Sequence, residues 1–253
     1  MPIPIEKIRS LKHVVTHIYC PDGTASAMLL RYCLPENVTV EFVQYETEAH
    51  REVEIRPDTI FADFSPHPDR VKDFVGAEAI VLDHHKTAKD VVGAFGELGV
   101  FGDEAADPGV CGAVLVFREI CLPILQAQEG DLDALKRQLE EFATLAGIRD
   151  TWQRKSPQWQ AACEQASALD FWPWDYLNGL PPYRWKEKLE IGPVLFQKRL
   201  QTAKKFGDGA YRFTTEKGVK VAIFERLKMS SDVAKYLHTK VDLVIGFDIF
   251  LVD

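Results

Sequence analysis

The chain has 253 residues, 46% of them hydrophobic, which is enough for one large domain or two smaller ones with a substantial core. Its formal net charge of −8 argues against a long duplex-binding surface, because such a surface needs a stripe of basic residues. The five cysteines lack C-x-x-C spacing, so reduced thiols in a cytoplasmic protein are expected rather than a disulfide framework. Neither a signal peptide nor a membrane span is predicted, because no long apolar run is present.

The first part of the chain alternates predicted strands with predicted helices. Apolar runs predict strands over residues 13–20, 38–44, 59–63 and 79–83. Helices are predicted over residues 24–34, 69–75, 110–120, 132–145 and 157–169. Strands that alternate with helices favour a parallel β-sheet flanked by helices, so the predicted fold class is α/β.

The second part of the chain has a different pattern. An aromatic and proline-rich stretch over residues 171–183 precedes a long predicted helix over residues 186–205. The predicted elements that follow are strands over 210–215 and 219–224, a helix over 231–238 and a strand over 243–250. About 45 residues are few for an independent core, so this small C-terminal α/β segment is expected to pack against the first part of the chain or against a second subunit. A homodimer is therefore one of the two expected arrangements.

Asp83, His84 and His85 follow directly on the apolar run over residues 79–82. In an open α/β sheet, ligands bind at the edge formed by the carboxyl ends of the strands. Three ionisable groups in a row are expensive to bury without a charge partner. A divalent metal ion is a partner that would satisfy all three.

Three other places supply residues of the same types at the ends of predicted elements. They contribute His17 with Asp22, then Asp63, and then Asp150 after a long predicted helix. Two divalent ions about 3.5–4 Å apart need a shared carboxylate and further oxygen or nitrogen ligands on each side. A mixture of imidazole and carboxylate suits Mn²⁺, with Zn²⁺ or Co²⁺ as alternatives.

Candidate contacts to a substrate phosphate lie beside these groups. The amides of Gly23 and Thr24 stand where a predicted strand gives way to a helix, an arrangement that can face an anion. Lys86 follows the two histidines directly and could either reach the same phosphate or point into solvent. These three residues are the predicted phosphate-binding group.

The motifs His17…Pro21-Asp22-Gly23, Asp63-x-x-Pro66, Asp83-His84-His85 and Asp150 together resemble the DHH phosphoesterase superfamily. That superfamily includes RecJ-type exonucleases, nanoRNases, cyclic-dinucleotide phosphodiesterases and family II pyrophosphatases. The resemblance covers residues 13–152 in order and spacing, and the Cys-Pro-Asp-Gly form looks most like a compact branch of the superfamily. It implies a DHH domain over residues 1–180, followed over residues 181–253 by a linker helix and a small, minimal or shortened DHH-associated domain.

The resemblance also implies a role for each residue. It assigns two divalent ions, most simply Mn²⁺ with Zn²⁺, Co²⁺ or Mg²⁺ as alternatives, to the ligands His17, Asp22, Asp63, His84 and Asp150. Asp63 would bridge the ions, and a water activated by them would attack phosphorus. The catalytic pair would be His85, facing the substrate phosphate, and Asp83, orienting a histidine.

Two departures from the family pattern stand out. Tyr19 and Cys20 occupy the place where relatives commonly have a further Asp or Asn, so Cys20 is either a small buried residue or a thiolate ligand that favours a softer ion. The glycine-rich Gly-Gly-Gly-His segment of many relatives is not found, although residues 228–232 look like the start of the domain that carries it.

The expected function is metal-dependent hydrolysis of a phosphate ester in a short nucleotide. The substrate would be an oligonucleotide, phosphoadenosine phosphate or a cyclic dinucleotide. One alternative is a hydrolase of polyphosphate or pyrophosphate. The other is a non-catalytic binding module that keeps the fold, which the residues at positions 19 and 20 and the missing glycine-rich segment would explain.

Overall fold

The computed structural model of the chain describes residues 2–225, 233, 236, 237 and 240–247. Its strands are β1 (His13–His17), β2 (Thr39–Val43), β3 (Thr59–Ala62), β4 (Ile80–Asp83), β5 (Gly99–Phe101), β6 (Tyr211–Thr214), β7 (Lys220–Glu225) and β8 (Leu243–Phe247). The first helices are α1 (Ile5–Arg9), α2 (Pro21–Cys33), α3 (Glu48–Glu52), α4 (Val71–Gly76), α5 (Lys89–Gly93) and α6 (Gly112–Val116). The later helices are α7 (Leu122–Gln126), α8 (Asp133–Asp150), α9 (Trp159–Phe171), α10 (Trp174–Leu177), α11 (Pro182–Leu189) and α12 (Gly192–Asp208).

Five parallel strands form the main sheet, in the order β2-β1-β3-β4-β5. Strand β2, the next along the chain, pairs with one side of β1, and β3 then pairs with the other side of β1. In sheets of this kind, ligands bind where the strand order reverses, which here is at the carboxyl ends of β1 and β3. Thr16 pairs with Ala62, which pairs with Leu82, so the residues that follow these three strands are neighbours.

Both faces of the main sheet are buried. Val14, Ile60 and Ile80 point to one face, where they join an apolar cluster with residues of α2, α6 and α8. The next residue of each strand, Val15, Phe61 and Val81, belongs to a separate cluster on the opposite face with residues of α4 and α5. A parallel sheet covered on both faces exposes only its edges and strand ends, so the polar residues of these strands gather at the ends.

The chain divides into two compact units, Met1–Gly192 and Pro193–Asp253, so residues 181–192 group with the first. The second unit has a three-stranded sheet in the order β6-β7-β8, with one antiparallel and one parallel pair. Its described core includes Ala222, Phe224 and Leu237. The predicted α/β class, a parallel sheet flanked by helices with a small C-terminal α/β segment, is confirmed. The predicted domain roles of 1–180 and 181–253 stay predictions.

Several predicted elements differ from the structure. The helix predicted over residues 186–205 is wrong, because α11 ends at Leu189 and α12 begins at Gly192, next to a proline that favours a helix start. The first strand ends at His17 rather than at residue 20, since Tyr19 has a left-handed backbone with φ 60° and Cys20 precedes α2. The sequence pattern does not predict strand β5.

Part of the predicted C-terminal structure lies outside the described residues. This applies to residues 228–232, to most of the helix predicted over residues 231–238 and to the end of the strand predicted over residues 243–250. In the part of the chain that the structure describes, every helix is too short or too polar to cross a bilayer.

Candidate metal centre

The polar residues predicted to bind metal gather at the carboxyl ends of β1, β3 and β4. The potential ligand atoms form three sets, and the atoms within each set lie within 4.8 Å of one another. They are His17 with Cys20 and Asp63, then Asp63 with His84 and His85, and then Asp22 with His84 and Asp150. The structure therefore brings together all five predicted metal ligands and places Asp63 in two of the sets.

Asp63 is the central carboxylate of the cluster. Its side chain is 1% exposed, and within the described residues neither of its oxygens has a hydrogen-bond donor. Burial, together with the charges of Asp22 and Asp150, raises the pKa of Asp63 well above its ordinary value. A buried carboxylate without a partner is unfavourable, and a cation would supply the missing partner. These residues therefore fit a divalent metal ion.

The backbone around Asp63 is tightly constrained. Asp63 has a left-handed φ of 56°, and its amide donates to the carbonyl of Leu82 at 3.0 Å. Gly112, the first residue of α6, packs against it so closely that a Cβ at that position would lie 2.3 Å from the Cβ of Asp63. Only glycine allows this approach without displacing the Asp63 side chain.

Asp22 connects the starts of two helices. It lies in the first turn of α2, but its carboxylate accepts hydrogen bonds from the amides of Gly112 at 2.7 Å and Ala113 at 2.9 Å. The thiol of Cys111 donates to it as well, at 3.0 Å. Sequence reasoning missed these three partners. The turn over residues 107–109 indicates a following helix, but no local pattern indicates which carboxylate meets its first amides.

His84 points its Nε2 atom at three carboxylates. The distances are 3.2 Å to Asp63 Oδ1, 3.5 Å to Asp150 Oδ2 and 3.7 Å to Asp22 Oδ2. Nε2 is buried and forms no hydrogen bond of acceptable geometry with any described residue. Since Nε2 and three carboxylates face a common point, a cation there would be coordinated by nitrogen and oxygen.

Asp150 reaches this point from the end of α8. The sequence pattern predicts a helix end at residue 145, but the helix continues to Asp150 and so carries the carboxylate to the sheet edge. Burial and the nearby Asp22 raise the pKa of Asp150 to about 6. The neighbouring Arg149 stacks its guanidinium over the ring of Trp152, with 4.3 Å between them.

Asp83 differs from Asp63, because hydrogen bonds satisfy both of its oxygens. One oxygen accepts from Ser65 Oγ at 2.6 Å and Tyr45 Oη at 3.3 Å, and the other accepts from the amide of His85 at 3.0 Å and faces its Nδ1 at 2.7 Å. Burial raises the pKa of Asp83, but the contacts with His85 and Ser65 outweigh it and leave the pKa below its ordinary value. Asp83 therefore holds His85 in place.

His85 lies at the open side of the cluster, with 36% of its side chain exposed. Burial lowers its pKa, but the hydrogen bond to Asp83 and the charges of Asp63 and Asp83 outweigh it, so the pKa is raised. A cavity of about 390 Å³ adjoins it, lined also by His84, Lys86 and Lys89. Two acids, Asp103 and Glu104, also line this cavity, so its positive and negative side chains offset one another.

The predicted phosphate contacts at the start of α2 are engaged within the protein. Thr24 donates both its amide, at 2.9 Å, and its hydroxyl, at 3.0 Å, to the carbonyl of Cys20. Gly23 packs against β1, where a Cβ would lie 2.5 Å from the carbonyl oxygen of His17. A contact between these residues and phosphate stays a prediction.

His17 and Cys20 form the remaining side of the cluster. His17 Nε2 lies 3.0 Å from Gln44 Oε1, and its buried Nδ1 has no partner among the described residues. Burial lowers the pKa of His17, which favours the neutral imidazole that binds metals. Burial and the charges of Asp63 and Asp22 raise the pKa of the Cys20 thiol well above its ordinary value.

Comparison with known proteins bears on the fold. No family model matches the chain, and no curated protein matches it. A solved DHH-domain structure, described as coming from a member of a family of ribosomal proteins, is similar over 96% of this chain and 73% of its own, with a TM-score of 0.62 and 11% identity. The similarity shows that the chain has the fold of a DHH domain.

A second solved structure, the pGpG-specific phosphodiesterase PggH from Vibrio cholerae, matches 84% of this chain and 67% of its own at 15% identity. Its TM-score is 0.29, and a superposition of that quality supports no conclusion about the site.

Proposed function

From the fold of a DHH domain and the centre at its sheet edge, we propose that the chain is a metal-dependent phosphoesterase that hydrolyses a phosphate ester of a short nucleotide. The observation that carries this proposal is the Asp63 carboxylate, which is buried without a donor among the described residues and faces imidazoles and further carboxylates. Such a group is unfavourable unless a cation binds there.

Divalent ions held by His17, Asp22, Asp63, His84 and Asp150 would activate water and offset negative charge on a phosphate. Mn²⁺ is the simplest ion for a set of oxygen and nitrogen ligands. The protein anchors the ligand set before a metal binds, since Asp22 is fixed by the amides that begin α6.

His85 would be the hydrogen-bond donor on the substrate side. Asp83 fixes its ring through a 2.7 Å contact at Nδ1, and the partly exposed side chain can donate a hydrogen bond to a phosphate oxygen. A donor placed where negative charge develops stabilises the transition state more than the ground state. Lys86 and Lys89 line the adjoining cavity together with Asp103 and Glu104, and the two lysines would bind a second anionic group of the substrate.

The size and charge of the site favour a small substrate. A cavity of about 390 Å³ is within the range for small-molecule ligands. The acidic chain has a net charge of −8, which disfavours a long nucleic-acid track. A dinucleotide, a cyclic dinucleotide or phosphoadenosine phosphate meets both conditions.

The proposal is tested with chelated protein reloaded separately with Mn²⁺, Zn²⁺, Co²⁺ or Mg²⁺. The substrates are dinucleotides, cyclic dinucleotides, phosphoadenosine phosphate, pyrophosphate and polyphosphate. We expect metal-dependent release of a nucleotide product from at least one phosphate ester. Hydrolysis of the two anhydrides alone would replace the proposal with a pyrophosphatase-like activity, and metal binding without any hydrolysis would replace it with a binding module.

Two aspartates that flank strand β3 give a matched pair of variants. Asp63→Ala removes the carboxylate at the carboxyl end of the strand, and Asp58→Asn changes a half-buried carboxylate at the other end, where it pairs with Arg56. We expect Asp63→Ala to reduce hydrolysis to background and to lower the metal content, while Asp58→Asn keeps both. Equal activity in the two variants would remove Asp63 from the proposed centre.

A further inference from the structure

We infer that Cys20 is a thiolate ligand in one half of the centre, formed with His17 and Asp63, and that this half selects zinc over manganese. The inference deepens the proposed function, because it assigns the metal preference of the same site. It also separates the centre into two halves of different chemistry, since the other half, Asp22 with His84 and Asp150, offers only oxygen and nitrogen.

The position of Cys20 is the first argument. Cys20 is the residue before the first turn of α2, and its sulfur lies within 4.8 Å of ligand atoms of both His17 and Asp63. A cysteine that only fills space would be surrounded by apolar side chains, as Cys121 is in the apolar cluster packed on α2.

The electrostatic surroundings argue against a nucleophilic cysteine. Reactive thiols occur in positively charged environments, next to lysine, arginine or protonated histidine. Here the carboxylates of Asp63, Asp22 and Asp150 all act on the Cys20 thiol. A thiolate among these groups needs a cation bound between them, which is the environment of a metal ligand.

A second, independent observation comes from the other two members of the set. Asp63 has two buried oxygens and His17 has a buried Nδ1, and none of these atoms has a hydrogen-bond partner in the described part of the chain. Gln44 occupies the opposite nitrogen of His17, as partners of metal-bound histidines commonly do. Three potential donors, one each of sulfur, nitrogen and oxygen, thus face one place.

The donor set decides which metal is preferred. Thiolate is a soft ligand that favours zinc, whereas manganese and magnesium favour oxygen. Zinc is commonly held by three protein ligands drawn from cysteine, histidine and carboxylate when a fourth position stays open. A carboxylate at position 20 would make this half suitable for manganese.

Cobalt reports the thiolate directly, because Co²⁺ bonded to sulfur has a near-ultraviolet charge-transfer absorption that oxygen and nitrogen ligands do not produce. We expect this absorption on titrating the chelated wild-type protein with Co²⁺. Cys20→Ser should abolish it. Cys33→Ser, at the last residue of the same helix, should keep it. Absence of the band in the wild type, or its persistence in Cys20→Ser, would overturn the inference.

Competition between metals tests the selectivity. Wild-type protein and a Cys20→Asp variant are equilibrated with equal Zn²⁺ and Mn²⁺, and bound metal is measured after removal of excess. We expect the ratio of bound zinc to manganese to fall by roughly tenfold or more in Cys20→Asp. An unchanged ratio would contradict the inference even if the variant binds metal well.

Neither experiment uses a substrate, so the two proposals fail separately. A protein with the charge-transfer band but no hydrolysis contradicts the phosphoesterase and leaves the thiolate ligand in place. A protein that hydrolyses nucleotides with manganese but has no band contradicts the thiolate ligand and leaves the phosphoesterase in place.

Discussion

Asp63 in the first unit and Asp208 in the second show how differently the same side chain is used in two regions of this molecule. Asp63 is buried, lacks a donor among the described residues and has a raised pKa. Asp208 is partly exposed and accepts from Lys204 Nζ at 2.7 Å and Tyr236 Oη at 2.5 Å. These two hydrogen bonds lower the pKa of Asp208 to about 2.

The opposite shifts have a physical meaning. Local hydrogen-bond donors stabilise the charge of Asp208, so that carboxylate needs no further partner. Asp63 lies among other acids and near the imidazoles of His84 and His85, but its oxygens accept no hydrogen bond of acceptable geometry in the described chain. A bound cation would therefore stabilise its charge. Perturbed carboxylates of the second kind gather at functional sites, where burial and neighbouring charges are arranged to bind or react with a ligand.

Asp63→Asn tests the comparison most strongly. The amide keeps the shape of the side chain but removes the charge that a bridging ligand needs, so we expect hydrolysis to fall to background and the number of bound metal ions to decrease. The metal-free variant should be more stable than the metal-free wild type by roughly 1–3 kcal/mol, because an unpaired buried acid has been removed. Urea unfolding after chelation measures this difference, and a less stable variant would contradict our account of Asp63.

Gly112→Ala tests whether the position of Asp63 matters as well as its charge. The added methyl would lie 2.3 Å from the Cβ of Asp63, so the carboxylate must shift. We expect activity to fall by about 10²-fold, which is typical of a displacement near 1 Å, with a loss of about 1–3 kcal/mol in stability. Steady-state kinetics measures the activity, and thermal unfolding measures the stability.

Gly76→Ala is the matched control for this variant, since Gly76 also lies in a helix and has open space where a Cβ would be. It should leave activity unchanged. Equal effects of the two alanines would show that the approach of Gly112 to Asp63 has no importance.

Asp83→Asn tests a satisfied carboxylate inside the centre. Asp83 orients His85 rather than facing the proposed ions, so we expect activity to fall by roughly 10–100-fold, as for other residues that support metal sites. The number of metal ions bound per chain should stay the same. Loss of metal with loss of activity would instead make Asp83 a ligand.

Asp208→Asn should have the smallest effect. We expect unchanged activity and a small decrease in the thermal midpoint at neutral pH. Because folding lowers the pKa of Asp208 to about 2, its contribution is present above about pH 4 and is lost as pH falls toward 2. Midpoints of variant and wild type should therefore converge on acidification, and a difference that grows would contradict the assignment.

The residues predictable from sequence are those whose position follows from a strand end. Asp63 and His84 each follow an apolar run, and the carboxyl ends of parallel strands share one edge of the sheet, so their meeting could be predicted. The support of Asp22 could not be predicted. Its donors at positions 111–113 are about 90 residues away, and backbone amides carry no sequence signature.

The errors in the predicted secondary structure also have physical causes. Strand β5 has three partly buried residues, Gly99–Phe101, which is too short for an alternating pattern to stand out. The break between α11 and α12 falls at residues 190–191, and the residues on both sides of it favour helix. Pro193 indicates a new helix start, but the helix-favouring residues before and after it predicted one long helix instead.

The left-handed backbone of Tyr19 and Asp63 affects how this site can change in evolution. Both residues leave the sheet by a sharp turn within two residues of a strand end, so an inserted or deleted residue there would misplace the whole ligand group. A single substitution at position 20 leaves the turns intact. Among related sequences, substitutions at this sheet edge are therefore expected to change the type of ligand and with it the metal that binds. The number of residues between each strand and its ligand is expected to stay fixed.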